Sequence, residues 1–131
     1  MVKRYGDLPN ILCHAGQLNQ VFMNLITNAI DAIEEQIQLT GKPEKPLITI
    51  TTDYDANETV HIRIQDNGCG VPEPMQHLLF DPFFTTKAVG KGTGLGLSIS
   101  YQIVTQKHRG KIYCESAVNQ GTTFVIELPR L

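Results

Sequence analysis

Asn24 and Asn28 stand one helical turn apart in a stretch whose apolar residues recur at helical spacing. Asparagine is a poor helix former because its side chain competes for backbone hydrogen bonds, so two in mid-helix are a mildly costly choice for a plain surface. With Gln17, Gln20, Asp31 and Glu35 they occupy about one quarter of the helical wheel, opposite the apolar stripe. Gln17, Gln20 and Glu35 read as an ordinary solvated face. The two amides instead present neutral oxygens in one direction, which suits Mg2+, an ion usually held by few protein groups together with phosphate and water.

Three further places depart from what a purely structural role requires. Asp66 has the same parity as Val60, Ile62 and Ile64, so the buried face of a strand runs on into a carboxylate, and an unpaired buried carboxylate is expensive. Asn67-Gly68 would ordinarily mark a hairpin turn. The chain continues, however, into Cys69-Gly70-Val71-Pro72 and a proline-rich loop instead of a partner strand. A carboxylate on a pocket floor, accepting from an exocyclic amine and flanked by Gly68 and Gly70, fits recognition of adenine. Next, Gly90-Lys91-Gly92-Thr93-Gly94-Leu95-Gly96 precedes a second helical pattern, where glycines permit close approach and free N-H groups attract phosphate. A flexible hinge is the competing reading. The spacing matches neither the Walker A loop nor G-x-G-x-x-G. Last, Phe80, Phe83 and Phe84 precede Thr85-Thr86-Lys87, in keeping with a lid that docks through aromatic anchors and brings Lys87 and Lys91 to phosphate; any single phenylalanine here is better explained by packing.

The elements that must position these groups are set by periodicity. Leu18, Val21, Phe22, Leu25, Ile26, Ala29, Ala32 and Ile33 predict a helix over 17–37, ended by Gly41, Pro43 and Pro46. Alternation predicts strands over 47–53 and 60–66, paired as an antiparallel hairpin around Asp55 to Glu58. Residues 71–92 lack periodicity and contain Pro72, Pro74 and Pro82, the mark of a functional lid or of disorder. A second helix is expected over 95–108, with Leu95, Ile99 and Ile103 inward and Tyr101 and Val104 as further inward candidates; Gly110 stops it. Strands over 111–115 and 122–128 close the chain, the latter turning Phe124, Ile126 and Leu128 to one face, and Ile11 to Cys13 could supply a short first strand. The expected fold class is an α/β sandwich, helices packed on one face of a mixed sheet.

Bulk properties bound the function. The 131 residues fit one domain, with 41% hydrophobic and 18% charged residues, a composition that folds without disulfides or a structural metal. A net charge of -2 with scattered Lys and Arg excludes the footprint of a nucleic-acid or anionic-membrane binder. Cys13, Cys69 and Cys114, odd in number and without a C-x-x-C pair, read as reduced thiols of a cytoplasmic protein. No apolar run approaches the roughly 20 residues that span a bilayer.

Taken in order, Asn24-Leu25-Ile26-Thr27-Asn28-Ala29, Asp66-Asn67-Gly68-Cys69-Gly70, Phe80 to Phe84, Gly92 to Gly96 and Gly121-Thr122-Thr123-Phe124 resemble the N, G1, F, G2 and G3 boxes of histidine-kinase catalytic domains. The resemblance runs from Gln17 to Pro129. It implies the Bergerat (GHKL) ATP-binding fold, a mixed, mostly antiparallel sheet with an ATP lid between the G1 and G2 boxes, and ATP and Mg2+ as cofactors. It further implies Asn28 as the Mg2+ ligand, Asn24 beside the phosphates and Asp66 bonded to the adenine amino group. The ATP-binding set expected on this basis is Asn24, Asn28, Asp31, Asp66, Gly68, Gly70, Phe84, Lys87, Lys91, Gly92, Thr93, Gly94, Leu95, Gly96 and Thr122, with catalytic roles at Asn24 and Lys87. The Phe-rich box followed by Thr85-Thr86-Lys87 resembles the nitrogen-sensor-like branch.

The gyrase, mismatch-repair and Hsp90-type ATPases, which are ATP-hydrolysing conformational clamps, share this fold. In them a glutamate four residues before the magnesium asparagine orients water. That position is Asn24 here. An amide is no general base, whereas transfer to a neutral imidazole needs chiefly positioning and charge neutralisation. A domain that only binds nucleotide is disfavoured because every box is intact. The family's phosphoacceptor histidine lies in a separate helical dimerisation domain, and His14, His61, His77 and His108 lack its amphipathic, acid-flanked setting. The default for His61 and His108 is a surface role. The expectation is therefore a single ATP-binding catalytic domain, 1–131, cut from a longer kinase that is itself anchored to a membrane or soluble. It would bind Mg-ATP without phosphorylating itself. Its partners would be the dimerisation and histidine-phosphotransfer domain and a response regulator receiver domain, with no nucleic acid and no membrane contact of its own.

Overall fold

The computed structural model describes residues 2–5, 15–42, 45–56, 58–76, 78–81, 96–117 and 121–129. In chain order the elements are β1 (Val2–Tyr5), α1 (Ala15–Thr40), β2 (Ile48–Tyr54), β3 (Thr59–Asp66), α2 (Glu73–Gln76), α3 (Gly96–Gln102), a π-helical turn (Ile103–Lys107), β4 (Lys111–Ala117) and β5 (Gly121–Pro129). The five strands form one sheet in the order β1-β2-β3-β5-β4. β1 runs parallel to β2, and every other pairing is antiparallel, so the sheet is mixed and mostly antiparallel as anticipated. The expected segment Ile11 to Cys13 lies outside the described residues; the first strand is Val2–Tyr5 instead.

The apolar stripe of α1 buries Leu18, Val21, Leu25, Ala29 and Ile33 against one face of the sheet. There Val60 and Ile64 of β3, Phe124, Ile126 and Leu128 of β5, Ile112 of β4, Leu79, and Ile103 and Val104 complete the core. Val21 and Leu25 are fully enclosed, and each such side chain contributes about 1.5–3 kcal/mol relative to exposure. Gly41, at φ 72, caps α1 by donating its N-H to the Ile37 carbonyl at 2.8 Å. The register of β2 with β3 places Ile50 opposite Ile64 and Thr52 opposite Ile62, the hairpin inferred from alternation.

The second helix differs from its expected form. α3 runs only from Gly96 to Gln102 and then widens into the π-helical turn. The buried His108 ring bonds the Ile103 carbonyl through Nδ1 at 2.9 Å, five residues back. This makes His108 part of the core boundary and corrects its reading as a surface residue. The left-handed residue that ends the helix is Arg109, at φ 55, while Gly110 donates to the Val104 carbonyl at 2.8 Å. Tyr101 is 43% exposed, so it is not an inward position; Val104 is fully buried. In the lid region the short helix α2 had no signal in the sequence, four residues being too few for periodicity.

Candidate functional site

β3 ends in Asp66, whose carboxylate is 4% exposed, as parity with Val60 and Ile64 required. Its Oδ1 accepts from the Gly68 N-H at 2.8 Å and from the Thr122 N-H at 3.3 Å. Burial pushes the Asp66 carboxyl above its ordinary value, against the lowering effect of these two N-H donors. Asn67 makes no hairpin. Its Oδ1 accepts from Leu47 N at 2.9 Å and its Nδ2 donates to the Lys45 carbonyl at 3.0 Å, bracketing the segment that leads into β2. Close approaches pin both flanks of Asp66. A Cβ at Gly68 would lie 2.7 Å from the Ala32 carbonyl carbon of α1, and one at Gly121, which sits at φ 92, would overlap the Asp66 carbonyl oxygen. Gly68 is thus required by the approach of α1.

Thr122 is buried beside Asp66 and its hydroxyl lies 3.0 Å from Ser116 Oγ. Ser116 was not singled out from sequence, yet it is a junction. Its Oγ accepts from Val71 N at 2.7 Å and donates to the Gly121 carbonyl at 2.9 Å. Gln76 Nε2 adds bonds to the Val71 and Ser116 carbonyls at 3.1 and 3.0 Å. Together these fasten the start of the lid region to β4 and β5. Phe80 packs with Tyr101 at a ring separation of 5.6 Å and edge-on with Phe124 at 6.3 Å, an aromatic anchor for that region.

At the other end of α1, the half-buried Asn24 reaches α3. Its Nδ2 donates to the Gly96 carbonyl and to Ser100 Oγ, each at 3.2 Å. Asn28 and Asp31, also half-buried, come next on the same helix, and Ala32 meets the Gly68 turn. The contact with α3 and the contact with Gly68 are eight residues apart on α1, a rise of about 12 Å. The described members of the expected set, Asn24, Asn28, Asp31, Asp66, Gly68, Gly70, Gly96 and Thr122, therefore sit along one helix, the turn after β3 and the starts of α3 and β5. Phe84, Lys87, Lys91, Gly92, Thr93, Gly94 and Leu95 lie outside the described residues. Among the described residues no three His, Cys, Asp or Glu side chains converge to cage a cation. The donor set here, amide oxygens without a carboxylate cage, fits an ion that draws most of its shell from phosphate and water, as Mg2+ does.

Comparison with known proteins agrees with this arrangement. Residues 13–131 match the family model described as histidine kinase-, DNA gyrase B- and HSP90-like ATPase. The chain is 44% identical over 130 residues to the sensor kinase CckA of Brucella abortus, covering 95% of this chain and 14% of that protein. It is 38% identical over 129 residues to the sensory histidine kinase/phosphatase NtrB of Rhizobium leguminosarum, covering 94% of this chain and 33% of that protein. Among solved structures, the catalytic domain of the histidine kinase ThkA superposes with a TM-score of 0.75 at 32% identity, over 98% of this chain and 80% of that one. ThkA in complex with the response regulator protein TrrA gives 0.72 at 28% identity, over 99% of this chain and 34% of that one. The chain thus spans a third or less of the two curated relatives named. With five boxes in order, the expected sheet and these likenesses, the chain belongs to the histidine kinase-, DNA gyrase B- and HSP90-like ATPase family, among the catalytic domains of sensor histidine kinases.

Proposed function

We propose that the chain binds Mg-ATP along α1 and transfers its γ-phosphoryl group to a histidine on a separate dimerisation domain of the same kinase. The observation that carries this reading is Asn24. It stands where the hydrolytic members of the fold have a glutamate, and its amide is engaged by Gly96 and Ser100. A residue that cannot take a proton from water leaves hydrolysis without a base, while a neutral imidazole brings its own nucleophilicity. Asp66 accepts from the adenine amino group, with Gly68, Gly70 and Thr122 around the ring. The rise of about 12 Å along α1 suits a nucleotide laid from the Asp66 end to the Asn24 end.

Asn28, with Asn24 and Asp31 beside it, faces the phosphates and would hold Mg2+, which when bound neutralises charge on the phosphoryl oxygens. Lys87 and Lys91 with Gly92 to Gly96 would close over the phosphates, Phe84 and Leu95 backing them. The domain, 1–131, works as one unit within a longer kinase. Its downstream partner is a response regulator receiver domain, a reading supported by the ThkA complex with TrrA. The Phe-rich box and the likeness to NtrB favour the nitrogen-sensor-like branch. No helix among the described residues is long and apolar enough to cross a membrane, in keeping with a cytoplasmic catalytic domain whether or not the parent is membrane-anchored. Calorimetric titration of ATP into Asn28→Ala and Asp66→Asn tests the assignment: both are expected to bind more weakly than wild type, the first only when Mg2+ is present. Unchanged binding by both variants would overturn it.

A further inference from the structure

Ser100 is fully buried, although it is polar and lies in a helix whose Leu97 and Ile99 pack against the core. Its Oγ donates to the Gly96 carbonyl at 2.8 Å, one turn back, and accepts from Asn24 Nδ2 at 3.2 Å, while the same nitrogen reaches the Gly96 carbonyl at 3.2 Å. The result is a closed triangle of Asn24, Gly96 and Ser100 joining α1 to the first turn of α3. Chemistry fixes the orientation of the amide. A carbonyl oxygen only accepts, so the Asn24 atom facing Gly96 must be the nitrogen. With the nitrogen held by two acceptors on α3, the group Asn24 turns elsewhere is its carbonyl oxygen, an acceptor.

We propose that Ser100 is a positioning residue that holds the Asn24 amide nitrogen on α3 and turns its oxygen toward the site, so that Asn24 offers an acceptor there for a hydrated cation. The inference rests on the Mg-ATP reading above and deepens it. An oxygen placed against bare phosphate would repel it, whereas the same oxygen accepts well from water in a Mg2+ shell. The triangle also explains a buried serine in α3, where an apolar residue would pack as well: Ser100 is a second acceptor for the Asn24 amide nitrogen, close enough to the Gly96 carbonyl to share one N-H with it.

The experiment compares wild type, Ser100→Ala and Ser100→Cys by calorimetric titration with ATP, once with Mg2+ and once in a chelator, alongside the side-chain amide signals of Asn24 in 15N-resolved NMR spectra. In wild type without nucleotide, the Asn24 amide protons are expected to be protected from solvent exchange. In Ser100→Ala that protection falls, affinity for Mg-ATP drops about threefold to tenfold, and affinity for ATP without Mg2+ stays within about twofold of wild type. Ser100→Cys, which keeps the volume and a weak acceptor, is expected to lie between. Equal losses with and without Mg2+ would assign Ser100 a merely structural role and overturn the proposal. So would unprotected Asn24 amide protons in wild type, a measurement that needs no variant to fold. If wild type itself binds Mg-ATP no better than ATP alone, the underlying reading fails and the proposal with it. A Mg2+ preference in wild type that survives intact in Ser100→Ala sinks the proposal alone.

Discussion

Replacing Asp66 with asparagine should separate the stability of this domain from its binding. Both hydrogen bonds to the carboxylate fall on Oδ1, from Gly68 N and Thr122 N. An asparagine satisfies the same two donors only by placing its oxygen there, which forces its NH2 group into the place of Asp66 Oδ2. That NH2 then meets the exocyclic amine of adenine donor to donor. Loss of a hydrogen bond to a charged group corresponds to about 1.5–3 kcal/mol, or roughly 10-fold to 150-fold in Kd for ATP. The effect on the fold has the opposite sign. Burial raises the folded-state value of the carboxyl above the ordinary 3.8, so ionised Asp66 weakens the fold, and the amide removes that penalty. Because the raised group binds its proton more tightly folded than unfolded, wild-type stability is highest below the ordinary aspartate value and falls as pH rises through the folded value. The melting temperature of Asp66→Asn minus that of wild type should therefore widen from about pH 4 upward and then level off. Calorimetry and thermal melts read the two halves. An asparagine variant that binds ATP like wild type, or that melts lower at neutral pH, would refute the reasoning.

Geometry and burial give three further outcomes. Gly68→Ala sets a Cβ 2.7 Å from the Ala32 carbonyl carbon and 2.9 Å from Ile33 N, backbone atoms of a 26-residue helix, so a loss of about 1–3 kcal/mol is expected in urea unfolding. At Gly96 the nearest atom to an added Cβ is Asn24 Cγ at 3.6 Å, an ordinary contact, and Gly96→Ala should unfold near the wild-type midpoint. Burial, then the neighbouring Glu115, pushes the Cys114 thiol up to about 11. At about pH 8 roughly 0.1% would be thiolate, so alkylation of Cys114 tracked by mass spectrometry should be far slower in the native protein than after unfolding; equal rates would contradict its burial.

Legibility tracked the reach of each signal. α1 and the four longer strands announce themselves because each buries a face, and burial imposes a period of 3.6 or 2 on the residues. The same rule exposed Asp66, a carboxylate standing in an apolar phase. Features set by distant contacts escaped. β1 has four residues and is defined by its pairing with β2, Val2 opposite Thr49, instead of by a pattern of its own. Asn67 reads locally as a turn residue, but its side chain serves the Lys45 and Leu47 backbone. Gly110 was expected to stop the second helix, but the left-handed residue there is Arg109, and Gly110 stands where β5 leaves no room for a Cβ beside the Glu127 carbonyl. Ser100 and Ser116 look like ordinary serines until the partners 76 and 45 residues away are known.

The central claim is that this chain delivers the phosphoryl group of ATP to a histidine it does not carry. Incubation with ATP labelled at the γ-phosphate, with and without a supplied histidine-bearing dimerisation domain from the same kinase, tests it most directly. Acid-labile label is expected on the histidine of the supplied domain and none on the chain alone. Label on the isolated chain, or steady release of phosphate with no label transferred, would contradict it.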